Sequence, residues 1–333
     1  MSLLLYFIDV CLYEDNPVKV DIVKFRWFWF SFSLAILLPG LIAIGLCIQK
    51  YGAPLKLGLD FTGGTKLEYK FFKEVKLEDV REILDKNGLG GSSLQRSEIA
   101  KDGSQVIIIR SKAIKERKST QKKASQKERI DEAFRNNIGE FEILSIDTVS
   151  PIIGPELLTS GLLGLGFTLV GMIIYIGYRF KRDYALCAII AMIHDVFVLV
   201  GIFAIFCLMW QLEVDSLFLT AILTVIGFSI HDTIVVFDRI RENSKYIGKN
   251  KNFGDIANDS INQTLVRSIN TSLTVLITLA TLYIFGGETT KTFVGAMLIG
   301  IASGTYSSIF VASALLVWWR ELAKKKKVKV ASA

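Results

Sequence analysis

Apolar and polar positions follow two regimes along this chain. In the first, apolar runs recur at 27–48, 157–178, 184–210, 217–237, 266–285 and 293–319, six in all. A helix of about 20 such residues crosses the roughly 30 Å hydrocarbon core of a bilayer. The pattern therefore predicts a polytopic α-helical membrane protein with six transmembrane helices. Pro39-Gly40 near the middle of the first run predicts a kink. Gly300 and Gly304 in the last run predict close helix packing.

The second regime fills the polar segment between the first two runs. Residues 65–72 alternate as a strand after Gly63-Gly64. Residues 77–86 place Leu77, Val80, Ile83 and Leu84 at helical spacing. Residues 93–99 and 106–110 read as strands around an Asp102-Gly103 turn. Residues 124–137 form a charged helix with Ile130, Ala133 and Phe134 on one face, and 140–149 return as a strand. The order is βαββαβ, the ferredoxin-like plan. The very basic run 112–129 reads as a solvated helix and loop rather than a binding patch.

These readings divide the chain into an N-terminal extension (1–24), a first transmembrane helix (25–49), a ferredoxin-like domain (50–155), transmembrane helices 2–6 (156–319) and a basic tail (320–333). The short apolar piece 3–10 is too short to span and lacks a basic n-region, unlike a signal peptide.

Charge sets the orientation. Lys and Arg accumulate before the first run, in the second-to-third link, in the fourth-to-fifth link and in the tail. The alternate links contribute only Lys291. The asymmetry predicts both termini in the cytoplasm and the ferredoxin-like domain outside it. It also accounts for the net charge of +7 without a nucleic-acid partner. No cysteine falls in 51–155, so no disulfide framework holds that segment. With two histidines in the whole chain, no metal-ligand cluster is expected. No phosphate-cradling glycine loop or nucleophile–histidine arrangement points to an enzyme.

Polar groups inside the apolar runs are the candidate chemistry. His194-Asp195 lies near the middle of the third run. His231-Asp232 lies toward the end of the fourth, and Arg267 opens the fifth. A carboxylate at membrane depth costs a few kcal/mol and by default marks an ion or proton path. A salt bridge at a helix end is the plainer reading of Asp232. Asp232 and Arg267 are expected at similar depth, where each offsets the other's charge. Thr233, Ser268 and Thr271 are candidate supporting polar groups that bridge helices or hold water.

Four ordered stretches carry a family resemblance. Gly58-Leu59-Asp60-Phe61-Thr62-Gly63-Gly64 resembles the signature GIDFTGG, and SIHDTIVVFDRIREN at 229–243 resembles SINDTVVVFDRIREN. QTLVRSINTSLT at 263–274 and SPIIGPEL at 150–157 match the same family. That family is SecF, the smaller membrane subunit of the SecDF protein-export machinery, in the resistance-nodulation-division superfamily. The resemblance implies half of a twelve-span bundle, with a SecD-like subunit as the other half. It further implies the SecYEG channel, a translocating preprotein and membrane lipids as partners, in the bacterial inner membrane. The proton-motive force would drive the work without a cofactor, with Na⁺ as the alternative coupling ion. Asp232 matches the family's proton-carrying aspartate, Arg267 its fifth-span arginine, and His194-Asp195 its third-span pair. His231 departs from the pattern, where the family more often has Asn. The alternatives are a half-size exporter of small molecules or lipids, and a membrane scaffold without ion coupling.

Overall fold

The computed structural model describes residues 20–89, 92–96, 104–111, 126–150, 152–246 and 251–331. The Asp102-Gly103 turn, most of the basic run 112–129 and residues 1–19 of the N-terminal extension lie outside the described residues. Leu57–Leu162 forms one compact unit, and the remainder of the described chain forms a second.

In chain order the elements are α1 (Arg26–Tyr51), the short α2 (Leu59–Thr62), β1 (Gly64–Phe71), α3 (Leu77–Lys86), β2 (Ser93–Arg96), β3 (Gln105–Ser111), α4 (Gln126–Asn137) and β4 (Phe141–Val149). There follow α5 (Ile153–Arg179), α6 (Arg182–Trp210), α7 (Ser216–Tyr246), α8 (Phe253–Phe285), α9 (Glu288–Tyr306), a π-helical turn (Ser307–Ala312) and α10 (Ser313–Ala331).

The smaller unit is built on a four-stranded antiparallel sheet in the order β2-β3-β1-β4. Strand alternation puts Leu67, Tyr69 and Phe71 of β1 and Ile107 and Ile109 of β3 on one face. Val80, Ile83 and Leu84 of α3 and Ile130 and Phe134 of α4 cover that face. The Tyr69 hydroxyl donates to Asp131 Oδ1 at 2.7 Å. Burial, reinforced by that bond, raises the phenol well above its usual pKa, so Tyr69 stays neutral.

Gly63-Gly64 has a conformational reason. Both residues have positive φ, +68° and +131°. A Cβ on Gly64 would also run into the Ser111 carbonyl. A Cβ on Gly154 would come within 2.7 Å of the Phe61 carbonyl oxygen. The stretches 58–64 and 150–157 thus meet through backbone that only glycine admits.

The larger unit holds six helical segments long and apolar enough to cross a membrane. Five are α1, α5, α6, α7 and α8; the sixth runs through α9, the π-helical turn and α10. The 26 residues of α1 span about 39 Å at 1.5 Å per residue. Pro39 lies inside α1, and the helix continues through it. One residue on, Gly40 meets Gly201 of α6, and a Cβ at Gly40 would stand 2.9 Å from the Gly201 Cα. Gly300 packs on Val225 and Gly304 on Ser229, fixing α9 tightly against α7. By contrast, the apolar window of α5 has no buried residue in this chain.

Two boundaries differ from the sequence reading. The polar stretch after residue 237 is not a long link: α7 continues to Tyr246 and α8 already begins at Phe253. Residues 20–24, read as part of the extension, are held in place. Asn262 bonds both the Val20 amide and carbonyl at 3.0 Å, and Asn258 Oδ1 accepts from the Ile22 amide at 2.9 Å.

Candidate intramembrane polar site

Two buried carboxyl groups lie within the bundle and are held very differently. Asp195 of α6 is 1% exposed. Its Oδ2 accepts from the Ser229 hydroxyl of α7 and, at 2.7 Å, from Ser307 at the start of the π-helical turn. Its Oδ1 lies 3.0 Å from His194 Nδ1. One carboxyl group therefore ties α6, α7 and the sixth span together. The close approach of Gly304 to Ser229 brings the third element near enough.

The π-helical turn belongs to the same cluster. Ser308 donates to the Ser229 carbonyl at 3.1 Å and lies 2.8 Å from the Thr233 hydroxyl. Thr233 also reaches the Ser229 carbonyl at 3.1 Å. A π-bulge inserts an extra residue into a helical turn and occurs frequently at functional sites. Here it presents adjacent Ser307 and Ser308 to neighbouring groups of α6 and α7.

Asp232 of α7 is 3% exposed and far more loosely held. The Ser272 hydroxyl of α8 faces its Oδ2 at 3.4 Å, at the long limit of a hydrogen bond. Thr305 of α9 donates to Ser272 at 2.7 Å. No ion pair to Asp232 forms among the described residues.

The expected Asp232–Arg267 pairing is not present in this structure. Arg267 is exposed on the outside of α8, and Ser272 occupies the face toward Asp232. The two are five residues apart, roughly 140° around a helix, so they cannot face the same neighbour. His231 is likewise exposed, pointing away from the buried Asp232 and Thr233. Thr271 is exposed and donates to the Arg267 carbonyl at 2.9 Å, bonding within its own helix. Ser268 is buried, and its hydroxyl has no partner among the described residues. Sequence reasoning missed Ser229, Thr305, Ser307 and Ser308. The signal for the last three was a concentration of hydroxyls from 303 to 308 within an apolar run.

At the charged end of the bundle, Asp238 pairs with Arg179 at 2.7 Å and Arg241 at 3.0 Å. Arg320 pairs with Asp183 at 2.6 Å and also lies over the Phe253 and Tyr184 rings.

The profile of the protein export membrane protein SecD/SecF C-terminal family matches residues 129–322, and the SecD/SecF GG motif matches 52–71. The chain is also 43% identical over 307 residues to the protein translocase subunit SecF of Thermobaculum terrenum, covering 90% of this chain and 94% of that protein. The chain belongs to the SecF family. A SecF of Synechocystis is 40% identical, with 91% and 95% covered. Among solved structures, a Thermus SecDF superposes with a TM-score of 0.72 at 29% identity, covering 93% of this chain and 40% of that one. SecDF in a super-membrane-facing form gives a TM-score of 0.61 at 27% identity, covering 97% and 41%. The chain thus spans less than half of the solved SecDF chains. The stretch that the GG motif matches contains Gly63-Gly64, whose positive φ angles shape the turn into β1 of this chain.

Proposed function

We propose that this SecF-family subunit couples proton movement through the membrane to protein export, in complex with a SecD-like subunit and beside a SecYEG channel. The observation that carries this reading is Asp232: buried within the bundle, held by the hydroxyls of Ser272 and Thr305 alone and in no ion pair among the described residues. A carboxyl group tied by several close donors is held in one state. One loosely held can take and release a proton as its surroundings change. Asp195 with His194, held by the Ser229 and Ser307 hydroxyls, is the second station of the relay. The coupling ion is H⁺, and the cycle needs no cofactor and no bond-making chemistry.

Arg267 supports the partner. A guanidinium on the outside of a transmembrane helix is costly against lipid. Asn270 shares the exposed side of α8. A second polytopic subunit covering this face supplies the missing polar contacts, and rotation of α8 against it moves Arg267 relative to Asp232. The smaller unit is a ferredoxin-like domain on the far side of the membrane, where it meets the emerging preprotein. Its strand order β2-β3-β1-β4 and one-sided helices support this reading.

The test of coupling is export by the reconstituted SecDF complex under an imposed proton gradient. Export should fall to its gradient-independent level when a protonophore collapses the gradient. An export rate indifferent to the protonophore would overturn the coupling.

The Lys/Arg asymmetry supports a topology with both termini in the cytoplasm. Glu74→Cys, on an exposed turn of the smaller unit, should react with a membrane-impermeant maleimide added to intact cells. Lys245→Cys, at the charged end of α7, should react only after permeabilisation. The reverse pattern would invert the topology.

A further inference from the structure

Between α1, α6 and α9 lies a cavity of about 370 Å³ walled by Phe32, Ile36, Val198, Ile202, Ile299 and Ala302. Phe32 is 47% exposed and Ala302 is exposed, so the cavity opens on the flank of the bundle among apolar residues. His194 also lines it. The His194 side chain is 9% exposed, and its Nε2 is buried with no hydrogen-bond partner among the described residues.

The relay network fixes what this nitrogen offers. Asp195 receives the Ser229 and Ser307 hydroxyls on one oxygen and faces His194 Nδ1 with the other. With Asp195 ionised, Nδ1 is the protonated nitrogen of a neutral imidazole, and Nε2, on the opposite edge, is an acceptor. An orphaned acceptor in an apolar wall is costly and calls for a donor.

Water is a poor occupant. At about 30 Å³ each, roughly a dozen waters match the volume, but each needs two to four polar partners. The walls offer few. Ser33 donates to the Tyr306 hydroxyl at 3.4 Å, and that hydroxyl donates to the Trp29 carbonyl at 2.9 Å. Besides His194, the polar side chains on the wall are Ser33, Ser303 and Tyr306, and Ser33 and Tyr306 are bonded to each other. The apolar stretch of wall formed by Phe32, Ile36, Val198, Ile202, Ile299 and Ala302 has no partners for water, while the cavity volume falls within the range of small-molecule sites.

We infer that this cavity is a binding site for a bilayer-dissolved amphiphile, an apolar chain ending in a single hydroxyl that donates to His194 Nε2. The chain lies against Ile36, Val198, Ile202 and Ile299 and enters past Phe32 and Ala302. Such binding requires no proton coupling, so its test is independent of the export reading.

The test uses the full chain, purified with its SecD subunit and reconstituted in phospholipid vesicles. The probe is a dodecanol carrying a mid-chain diazirine and a terminal alkyne; the control is its methyl ether, which has lost the donor. After photolysis, adducts should concentrate in peptides of α1 and α9. The alcohol should label about tenfold more than the ether, the preference that one buried hydrogen bond confers. Excess dodecanol should compete. Ala302→Trp, which fills the mouth, should abolish labelling. His194→Phe should keep labelling but erase the preference for the alcohol. Equal labelling by alcohol and ether in the wild type would overturn the assignment. So would adducts spread over all six spans, or labelling that survives excess dodecanol. If Ala302→Trp fails to assemble, the wild-type alcohol-to-ether ratio and competition still decide.

Discussion

Asp232→Asn reduces export to its gradient-independent level and leaves the subunit inserted and bound to its partner. The amide has nearly the size of the carboxyl group and still presents an oxygen to the Ser272 hydroxyl. What it loses is the ability to take up and release a proton. Assembly should not suffer, because a neutral amide is cheaper than a carboxylate at membrane depth. Asp238→Asn is the matched control on the same helix. Asp238 is partly exposed and sits in ion pairs with Arg179 and Arg241, which are worth about 0–1 kcal/mol at a surface. That variant should export at close to the wild-type rate. Arg267→Met, which keeps much of the length and removes the charge, should impair coupling as well. Export in proteoliposomes under an imposed gradient is measured beside recovery of the SecD subunit. A wild-type rate for Asp232→Asn would leave Asp232 only a structural role. Loss of the partner together with export would assign the defect to assembly.

The membrane bundle was legible in the sequence because hydrocarbon thickness imposes a length on apolar runs. The turn at Gly63-Gly64 and the close packing at Gly300 and Gly304 were legible too, since backbone approach there excludes a side chain, whereas the approach at Gly154 was not. Helix ends were not. Apolar length measures the bilayer rather than the helix, and polar residues continue α7 to Tyr246 and begin α8 at Phe253. The candidate site was legible as a set of misplaced polar residues, but not as a network. Depth along the membrane follows from residue number, whereas the direction a side chain faces depends on how each helix is rotated. Asp232 and Arg267 were matched by depth alone, and the rotation of α8 gives that place to Ser272. Ser229 and Ser307 come to Asp195 from 34 and 112 residues away, a meeting that no local pattern records. The π-helical turn depends on packing against α6 and α7 and leaves no signature in the residues themselves. Asp195 and Asp232 look equivalent as letters in apolar runs. Only their partners separate the firmly held carboxyl group from the loose one.

That contrast fixes the outcome at Asp195. Asp195→Ala removes one acceptor group, strands the Ser229 hydroxyl and the His194 Nδ1 proton in a buried cluster, and leaves Ser307 only the Gly304 carbonyl. Each unsatisfied donor costs about 1–3 kcal/mol. The sixth span loses its polar anchor to α6 at the π-helical turn. The unfolding midpoint of the purified SecDF complex in detergent should therefore fall sharply. Asp195→Asn behaves differently. Its carbonyl oxygen accepts both serine hydroxyls, and its NH₂ donates to His194 Nδ1 once the imidazole proton moves to Nε2. Its midpoint should return close to wild type. Export should not return with it, because the amide cannot pass a proton between His194 and the serine cluster. Calorimetry or fluorescence melting reads the first effect, and gradient-driven export reads the second. An Ala variant melting with the wild type would mean that the cluster contributes nothing to stability. An Asn variant restoring both stability and export would make Asp195 a structural anchor and leave Asp232 as the one titrating group of the relay.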